Sequence, residues 1–271
     1  MSGFFAEGKF WDVTADQDAL IRAAANQLGF AGALGEVQRL WAAAQGDSVT
    51  FDGLVARRAA HEPLSHLLGY RDFYKHRFFV TADVLDPRPD SETLIEAALT
   101  VPFQTVLDLG TGSGCILLSL LAERRDSAGV GADMSAAALA VAQRNAVALN
   151  VEKVRFVTSD WFTDIEGQFD LIVSNPPYIA ADEMTDLQPE VRDHEPRMAL
   201  TDEADGLTCY RTIIAAAPDY LTEGGHLLVE IGPTQGPAVS AMFAAQGFAE
   251  IRVIADLDGR NRVVFGQKSP R

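Results

Sequence analysis

The sequence predicts an α/β protein in which a small helical domain precedes a doubly wound, mostly parallel sheet. The main observation is that short β-rich runs alternate with helical patterns from Thr105 onward. Such alternation is typical of a parallel sheet with helices on both faces. Before residue 68 the chain is instead rich in Ala and Leu at helical spacing, and Asp258-Gly259-Arg260-Asn261 separates the last two β-rich runs. That tetrapeptide predicts a hairpin, so we expect the sheet to end with an antiparallel strand.

Composition and charge limit the class of protein. The chain has 271 residues, of which 48% are apolar and 22% charged, an ordinary globular balance. The net charge of −16 argues against a duplex nucleic-acid binder, because such proteins need a basic face for phosphates. No run reaches the ~18 apolar residues of a membrane span, and Met1–Trp11 lacks the apolar core of a signal peptide. Because Cys115 and Cys209 lie outside any metal or redox motif, we expect a reducing cytoplasm.

The first third of the chain predicts helices followed by a hairpin. Apolar residues recur at helical spacing in Asp16–Leu28, Ala33–Gln45 and Phe51–Ala60. An aromatic and charged segment follows, which indicates a β-hairpin linker. The predicted divisions are a helical domain at 1–68, the hairpin at 69–84 and the sheet domain at 85–271.

Within the sheet domain, the prolines of Asp86–Glu92 precede a helix that runs to about Thr100. The strands and helices after it follow from the alternating pattern. The predicted strands are Thr105–Leu109, Gly129–Asp133, Val154–Thr158, Phe169–Ser174, His226–Ile231, Ile251–Leu257 and Arg262–Gln267. The predicted helices are Cys115–Glu123, Ala136–Leu149 and Cys209–Leu221.

A glycine-rich loop joins the first of these strands to its helix. Asp108 stands near the strand end, and Gly110-Thr111-Gly112-Ser113-Gly114 follows. Glycines let the backbone turn sharply and let a ligand approach closely. The spacing G-x-G-x-G differs from the dinucleotide pattern, and an acid at 108 would repel phosphates but can contact an ammonium group. The loop therefore favours a nucleoside cofactor without a pyrophosphate.

Acidic side chains end the next two strands. Asp133 follows the loop by about 20 residues, the spacing at which an acid accepts both hydroxyls of a ribose. At the third strand end, the Asp160 carboxylate can accept from an adenine amino group and the Trp161 ring can cover the base. Each acid alone is more often a helix cap or a solvated side chain. Three such strand ends in order predict an adenosyl site.

The fourth strand leads into Asn175-Pro176-Pro177-Tyr178. Two prolines stiffen the backbone and leave its carbonyls free to accept. The Asn175 side-chain oxygen and the Pro176 carbonyl can each take one hydrogen of a substrate –NH₂, while Tyr178 lies against the flat face of an amide. Holding both hydrogens raises the electron density on a nitrogen whose lone pair is otherwise delocalised. A proline-rich turn without a chemical role is the alternative. Because the motif follows an adenosyl site, it favours methyl transfer to an amide nitrogen. The predicted catalytic residues are Asn175, Pro176 and Tyr178, and the substrate site also includes Pro177.

From about residue 60 to 271 the sequence resembles one family, the peptide chain release factor N(5)-glutamine methyltransferases. The Arg-Pro-Asp-Ser-Glu stretch is much more specific than Asn-Pro-Pro-Tyr, which adenine and cytosine amino methyltransferases share. The resemblance lies in Glu62-Pro63, Leu68-Gly69, Arg71–Phe73, Pro87–Glu92, Asp108–Gly114, Asn175–Tyr178, Pro189–Arg192, Glu195-Pro196, Asp205–Leu207 and Glu230–Gly232.

The resemblance implies a class I, Rossmann-like fold with an N-terminal helical domain that docks the substrate. It implies S-adenosylmethionine as cofactor and, as substrate, the glutamine in the Gly-Gly-Gln loop of class 1 release factors. By position, Gly110–Gly114, Asp133, Trp161 and Asn175 match the family's cofactor site, and Asn175–Tyr178 its glutamine site. The sequence departs from the family at Asp86, where an aliphatic residue is usual, and matches only loosely before residue 60.

Several alternatives stay open or are set aside at this point. A related branch methylates a glutamine of a ribosomal protein, and an amino methyltransferase of nucleic acid or a non-catalytic adenosine-binding module would share parts of the site. No metal is expected, because His61-Glu62 with His66 is one residue too long for a zinc motif. Ser113 does not stand in a nucleophile elbow. The basic residues of the hairpin are either a solvated face or a docking patch: Arg71, Lys75, His76 and Arg77.

Overall fold

The computed structural model describes residues 15–269, and the chain divides after Leu68 into two compact units. The expectation for Met1–Trp11 lies outside the described residues. Among those described, no helix has the length and apolar character needed to cross a bilayer.

The first unit is helical. It contains α1 (Ala15–Leu28), α2 (Ala33–Ala43), α3 (Ser48–Ala59) and the short α4 (Leu64–Leu68). The first three correspond to the predicted helices, but α3 begins three residues earlier, because the Asp47 side chain accepts from the Thr50 N–H at 2.8 Å and caps it. Val37, Leu40 and Phe51 are almost fully buried between the helices.

The second unit contains a two-stranded hairpin and a seven-stranded sheet with helices. The hairpin is β1 (Tyr70–Phe73) and β2 (His76–Phe79). The remaining strands are β3 (Thr105–Leu109), β4 (Ala128–Asp133), β5 (Val154–Thr158), β6 (Phe169–Ser174), β7 (Leu221–Glu230), β8 (Phe248–Ala255) and β9 (Asn261–Lys268). The helices are α5 (Glu92–Leu99), α6 (Cys115–Glu123), α7 (Ala136–Ala148), α8 (Pro189–His194), α9 (Thr208–Tyr220) and α10 (Gly236–Ala245).

The sheet order is β5-β4-β3-β6-β7-β9-β8. All neighbouring pairs from β5 to β7 are parallel, and β9 runs antiparallel between β7 and β8. The predicted α/β fold with an antiparallel C-terminal hairpin is therefore confirmed. Alternate residues of β3 face opposite sides, so that Val106 packs in one apolar cluster and Leu107 in another across the sheet.

One buried asparagine joins the hairpin to the sheet part of the same unit. Asn145 of α7 accepts from the Phe79 N–H at 2.7 Å and donates to the Phe79 carbonyl at 3.0 Å. Its Nδ2 also donates to the Ser113 carbonyl at 2.9 Å. The same fully buried side chain therefore connects the hairpin to the glycine loop after β3.

Candidate active site

A cavity of about 580 Å³ lies at the carboxyl ends of the strands on both sides of the β3–β6 boundary. The chain moves outward from β3 to β4 and β5, then returns to the other side of β3 with β6. Ligands of open α/β sheets bind at such a reversal of strand order. The volume lies within the range of small-molecule sites. The loops after β3, β4, β5 and β6 form the wall together with segments 83–91 and 196–203.

The glycine loop after β3 has a backbone that needs its glycines. Gly110, Gly112 and Gly114 have φ angles of 70°, 54° and 78°, in the left-handed region. A Cβ on Gly114 would also lie 3.1 Å from a Leu118 methyl carbon. At Gly112 no atom lies within 4 Å of such a Cβ, so the loop leaves open space above its middle residue. This backbone gives a ligand close access to the loop.

Asp108 is fully buried and does not form part of the cavity wall. Its Oδ2 accepts from the Thr111 hydroxyl at 2.7 Å, and its Oδ1 has no hydrogen-bond partner. Burial raises the pKa of Asp108 to about 7, and the hydrogen bond from Thr111 opposes this rise. An unpaired buried carboxylate oxygen is costly, so a cationic group above the loop would stabilise the ionised form.

Asp133 braces the same loop from the end of β4. Its Oδ2 accepts from the Gly112 N–H at 2.9 Å and its Oδ1 from the Ser135 N–H at 2.9 Å. Each carboxylate oxygen keeps further accepting capacity, so these two bonds do not exhaust the group. Asp133 lines the cavity, as the sequence predicts for a ribose-binding acid.

Asp160 and Trp161 line the cavity after β5. Trp161 has a φ of 50°, an uncommon conformation for a residue with a Cβ, and the Ser159 hydroxyl donates to its carbonyl at 2.9 Å. A Cβ on Gly110 would lie 4.0 Å from Cζ3 of Trp161, so the indole stands beside the glycine loop. The structure therefore brings the three predicted strand ends together around one cavity.

The Asn-Pro-Pro-Tyr segment follows β6. Asn175 and Pro177 line the cavity, whereas the buried Pro176 and the half-buried Tyr178 do not. Burial raises the pKa of Tyr178 to about 12, so the phenol stays neutral. The Asn175 Nδ2 donates to the Ser91 hydroxyl at 3.3 Å. Of the residues expected in the cofactor site, Gly110, Thr111, Gly112 and Ser113 line the cavity and Gly114 does not.

Gln235 supports this segment and was not predicted from the sequence. Its Nε2 donates to the carbonyls of Tyr178 at 2.9 Å and Gly206 at 3.1 Å. Its Oε1 accepts from the Gly232 N–H at 2.9 Å and lies 3.2 Å from the Tyr210 hydroxyl, which donates to the Glu230 carbonyl at 2.8 Å. Both ends of the Gln235 amide are therefore bonded, which holds the segment after β6 against the end of β7.

Two buried acids lie beside the segment before α5. Glu195 pairs with Arg88 at 2.6 Å, and burial raises its pKa to about 7, with Asp86 adding to the rise and Arg88 opposing it. Asp86, the departure from the family pattern, is 5% exposed and lies 3.7 Å from the Arg71 guanidinium. Asp86, Arg88 and Ser91 all line the cavity, and none of them had a role assigned from the sequence.

The basic residues of the hairpin are mostly paired. Lys75 binds Glu123 at 2.7 Å, and Arg77 binds Asp72 at 2.7 Å, in addition to the contact between Arg71 and Asp86. These pairs favour the solvated hairpin face over a patch for phosphates, because their positive charge is already partly neutralised.

The chain is similar to known methyltransferases. A family model described as "Methyltransferase small domain" matches residues 79–190. The release factor glutamine methyltransferase of Cereibacter sphaeroides is 54% identical over 215 residues, covering 79% of this chain and 77% of that protein. The protein of the same name from Caulobacter vibrioides is 43% identical, covering 82% of this chain and 78% of its own length. A solved methyltransferase from Pyrococcus furiosus superposes with a TM-score of 0.56 at 16% identity, over 71% of this chain and 88% of that one, a likeness of fold alone.

Proposed function

The chain belongs to the release factor glutamine methyltransferase family, and on this premise we propose that it methylates the side-chain amide nitrogen of a glutamine in the Gly-Gly-Gln loop of a class 1 release factor. The protein is a methyltransferase, and its family and fold imply S-adenosylmethionine as the methyl donor. The observation that carries the chemistry is that Asn175 lines the cavity that the glycine loop also lines. Since release factors act on ribosomes, the cytoplasm is the proposed location.

The residues around the cavity fit S-adenosylmethionine. The buried Asp108 has an unpaired oxygen, and its negative charge would attract the ammonium group of the methionine part across the loop or through a bridging water. Asp133 has accepting capacity for the ribose hydroxyls, and Trp161 offers a ring for the adenine with Asp160 next to it. When bound, the cofactor supplies an electrophilic methyl group on a sulfonium. We therefore assign the cofactor site to residues 110–114, Asp133, Asp160, Trp161 and Asn175.

The chain's own contribution to the reaction is mainly positional. The Asn175 Oδ1 accepts one hydrogen of the glutamine amide, and the Pro176 carbonyl is proposed to accept the other. Pro177 lines the cavity and is proposed to contact the substrate, and Tyr178 is proposed to pack on the amide plane. These contacts direct the glutamine amide nitrogen at the methyl group and restrict the rotation of the glutamine side chain. After transfer the nitrogen carries an acidic proton that solvent can take, so no strong base is needed.

Substrate choice requires contacts beyond the glutamine, because one side chain buries too little area to select a protein. We propose that the N-terminal unit, residues 1–68, supplies this second contact through the helices described in residues 15–68. The test is to offer purified release factor, a ribosomal protein substrate and ribosomal RNA together with labelled cofactor. Label on the release factor supports the proposal. Label only on the ribosomal protein would leave glutamine methylation standing and refute the release-factor substrate.

A further inference from the structure

The orientation of the Asn175 amide decides what this side chain can do. An amide donates only through its nitrogen and accepts only through its oxygen. Nδ2 donates to the Ser91 hydroxyl, and within residues 15–269 the Asn175 side chain makes no other hydrogen bond. Its Oδ1 is therefore the end that remains to accept from a ligand in the cavity. A flipped amide would present donors to the substrate –NH₂ and could not hold it.

Ser91 is in turn held by Glu230 at the end of β7. Ser91 is 2% exposed and Glu230 is 1% exposed. The Ser91 side chain faces the Glu230 carboxyl closely enough to lower the pKa of Glu230 by hydrogen bonding, and the Oε2 of Glu230 has no partner. A serine hydroxyl has one proton, and an ionised carboxylate can only accept. When Ser91 donates to ionised Glu230, it can only accept from Asn175, which must then turn Nδ2 toward it.

We propose that Ser91 and Glu230 are positioning residues that fix the orientation of the Asn175 amide, so that Oδ1 faces the glutamine of the substrate. This inference rests on the proposed function, because it assigns Oδ1 the role of accepting from the substrate amide. Neither residue touches the reacting atoms in this scheme, and both act through Asn175.

The charges around Glu230 make the arrangement sensitive to pH. Burial raises the pKa of Glu230 to about 7, against the hydrogen bond from Ser91 and the charges of Arg262 and Arg88, while Asp90 adds to the rise. Tyr178, Tyr210 and Cys115 also face this charge, and burial keeps all three neutral by raising their pKa values.

Protonation of Glu230 would reverse the chain of hydrogen bonds. A protonated carboxyl can donate to the Ser91 oxygen, which frees the serine proton to point at Asn175 and favours the flipped amide. We therefore expect kcat of the wild type to rise with pH through about 7. The glutamine of Glu230→Gln can donate to Ser91 at every pH. This variant should therefore have a lower kcat, and its kcat should not rise with pH through about 7.

A double-mutant cycle tests the inference. Ser91→Ala should lower kcat about 10-fold while the affinity for the cofactor stays within twofold, the loss of one positioning hydrogen bond. Ser91→Thr keeps the hydroxyl and should retain kcat within a few-fold. In an Asn175→Ala background, Ser91→Ala should cause no further loss, because its effect passes through the missing amide. The matched control is Ser119→Ala, which removes a buried hydroxyl without a hydrogen-bond partner on α6 and should leave kcat unchanged.

The outcomes distinguish a failure of the positioning role from a failure of the proposed function. Equal losses from Ser91→Ala in the wild-type and Asn175→Ala backgrounds, or a full kcat in Ser91→Ala, would overturn the positioning role. A pH step that persists in Glu230→Gln would remove Glu230 from it. If the wild type transfers no methyl group to a release factor, the proposed function fails, and the inference fails with it.

Discussion

Replacing Asp133 with alanine tests the cofactor site through one carboxylate. The wild-type group accepts from the Gly112 and Ser135 N–H groups, each at 2.9 Å, and keeps capacity for the two ribose hydroxyls. Alanine removes the two proposed ribose bonds and the brace on the glycine loop. The variant should still fold, because Asp133 is only half-buried and stands at a strand end.

The expected loss follows from the number of bonds. Two charge-assisted hydrogen bonds to the ribose contribute roughly 2–4 kcal/mol together. At about 1.4 kcal/mol for each tenfold change, the dissociation constant should rise about 30- to 1000-fold.

Calorimetry with S-adenosylhomocysteine, which cannot react, measures this change. A matched control is Asp164→Ala, because Asp164 is an exposed acid after β5 that does not line the cavity. The wild type should also bind an analogue of S-adenosylhomocysteine without ribose hydroxyls more weakly than S-adenosylhomocysteine itself. The Asp133→Ala variant should bind these two ligands with equal affinity. An unchanged dissociation constant in folded Asp133→Ala, or equal binding of both cofactors by the wild type, would refute the assignment.

Four further predictions concern catalysis, stability and docking. Asn175→Ala should lower kcat at least 100-fold while the protein stays folded; near-normal turnover would mean that another group orients the amide. Gln235→Glu removes the donors to the Tyr178 and Gly206 carbonyls and should lower both kcat and the melting temperature, checked by calorimetry against Gln246→Glu on the surface. Burial raises the pKa of Asp108 to about 7, so its contribution to the free energy of unfolding is complete below about pH 4 and is lost as the pH rises through 7. In urea unfolding, Asp108→Asn should therefore gain stability relative to the wild type between pH 5 and 8. A difference in unfolding free energy that stays constant over this range would contradict the raised pKa. Deleting residues 1–60 should reduce methylation of the intact release factor far more than that of a Gly-Gly-Gln peptide, and equal losses would remove the docking role.

The strands and the glycine loop could be predicted because each has a local cause. The strands β3 and β5 and the helix α6 agree with the predicted bounds, since short apolar runs bounded by Gly or polar residues leave few alternatives. The three helices not predicted were α4, α8 and α10. Each begins beside a proline, Pro63, Pro189 or Pro237, and a proline suggests a turn unless it occupies the first turn of a helix.

The site could be predicted only where its residues stand at strand ends. Asp133, Trp161 and Asn175 meet at one cavity because parallel strands direct their carboxyl ends to the same edge. The supporting hydrogen bonds could not be predicted, because they join distant parts of the chain. Ser91 contacts Asn175 across 84 residues, and Gln235 contacts Tyr178 across 57. No sequence period indicates such a contact, although both Ser91 and Glu230 belong to stretches that resemble the family.

Mass spectrometry of a class 1 release factor after incubation with this protein and methyl-labelled S-adenosylmethionine tests the central claim most directly. Fragmentation of the labelled peptide locates the added methyl group. We expect a single methyl group on the side-chain nitrogen of the glutamine in the Gly-Gly-Gln loop, and transfer at least 100-fold slower with the Asn175→Ala variant under the same conditions. A methyl group on any other residue of the factor, or a release factor that stays unmodified while the wild-type protein is folded and binds the cofactor, would contradict the account.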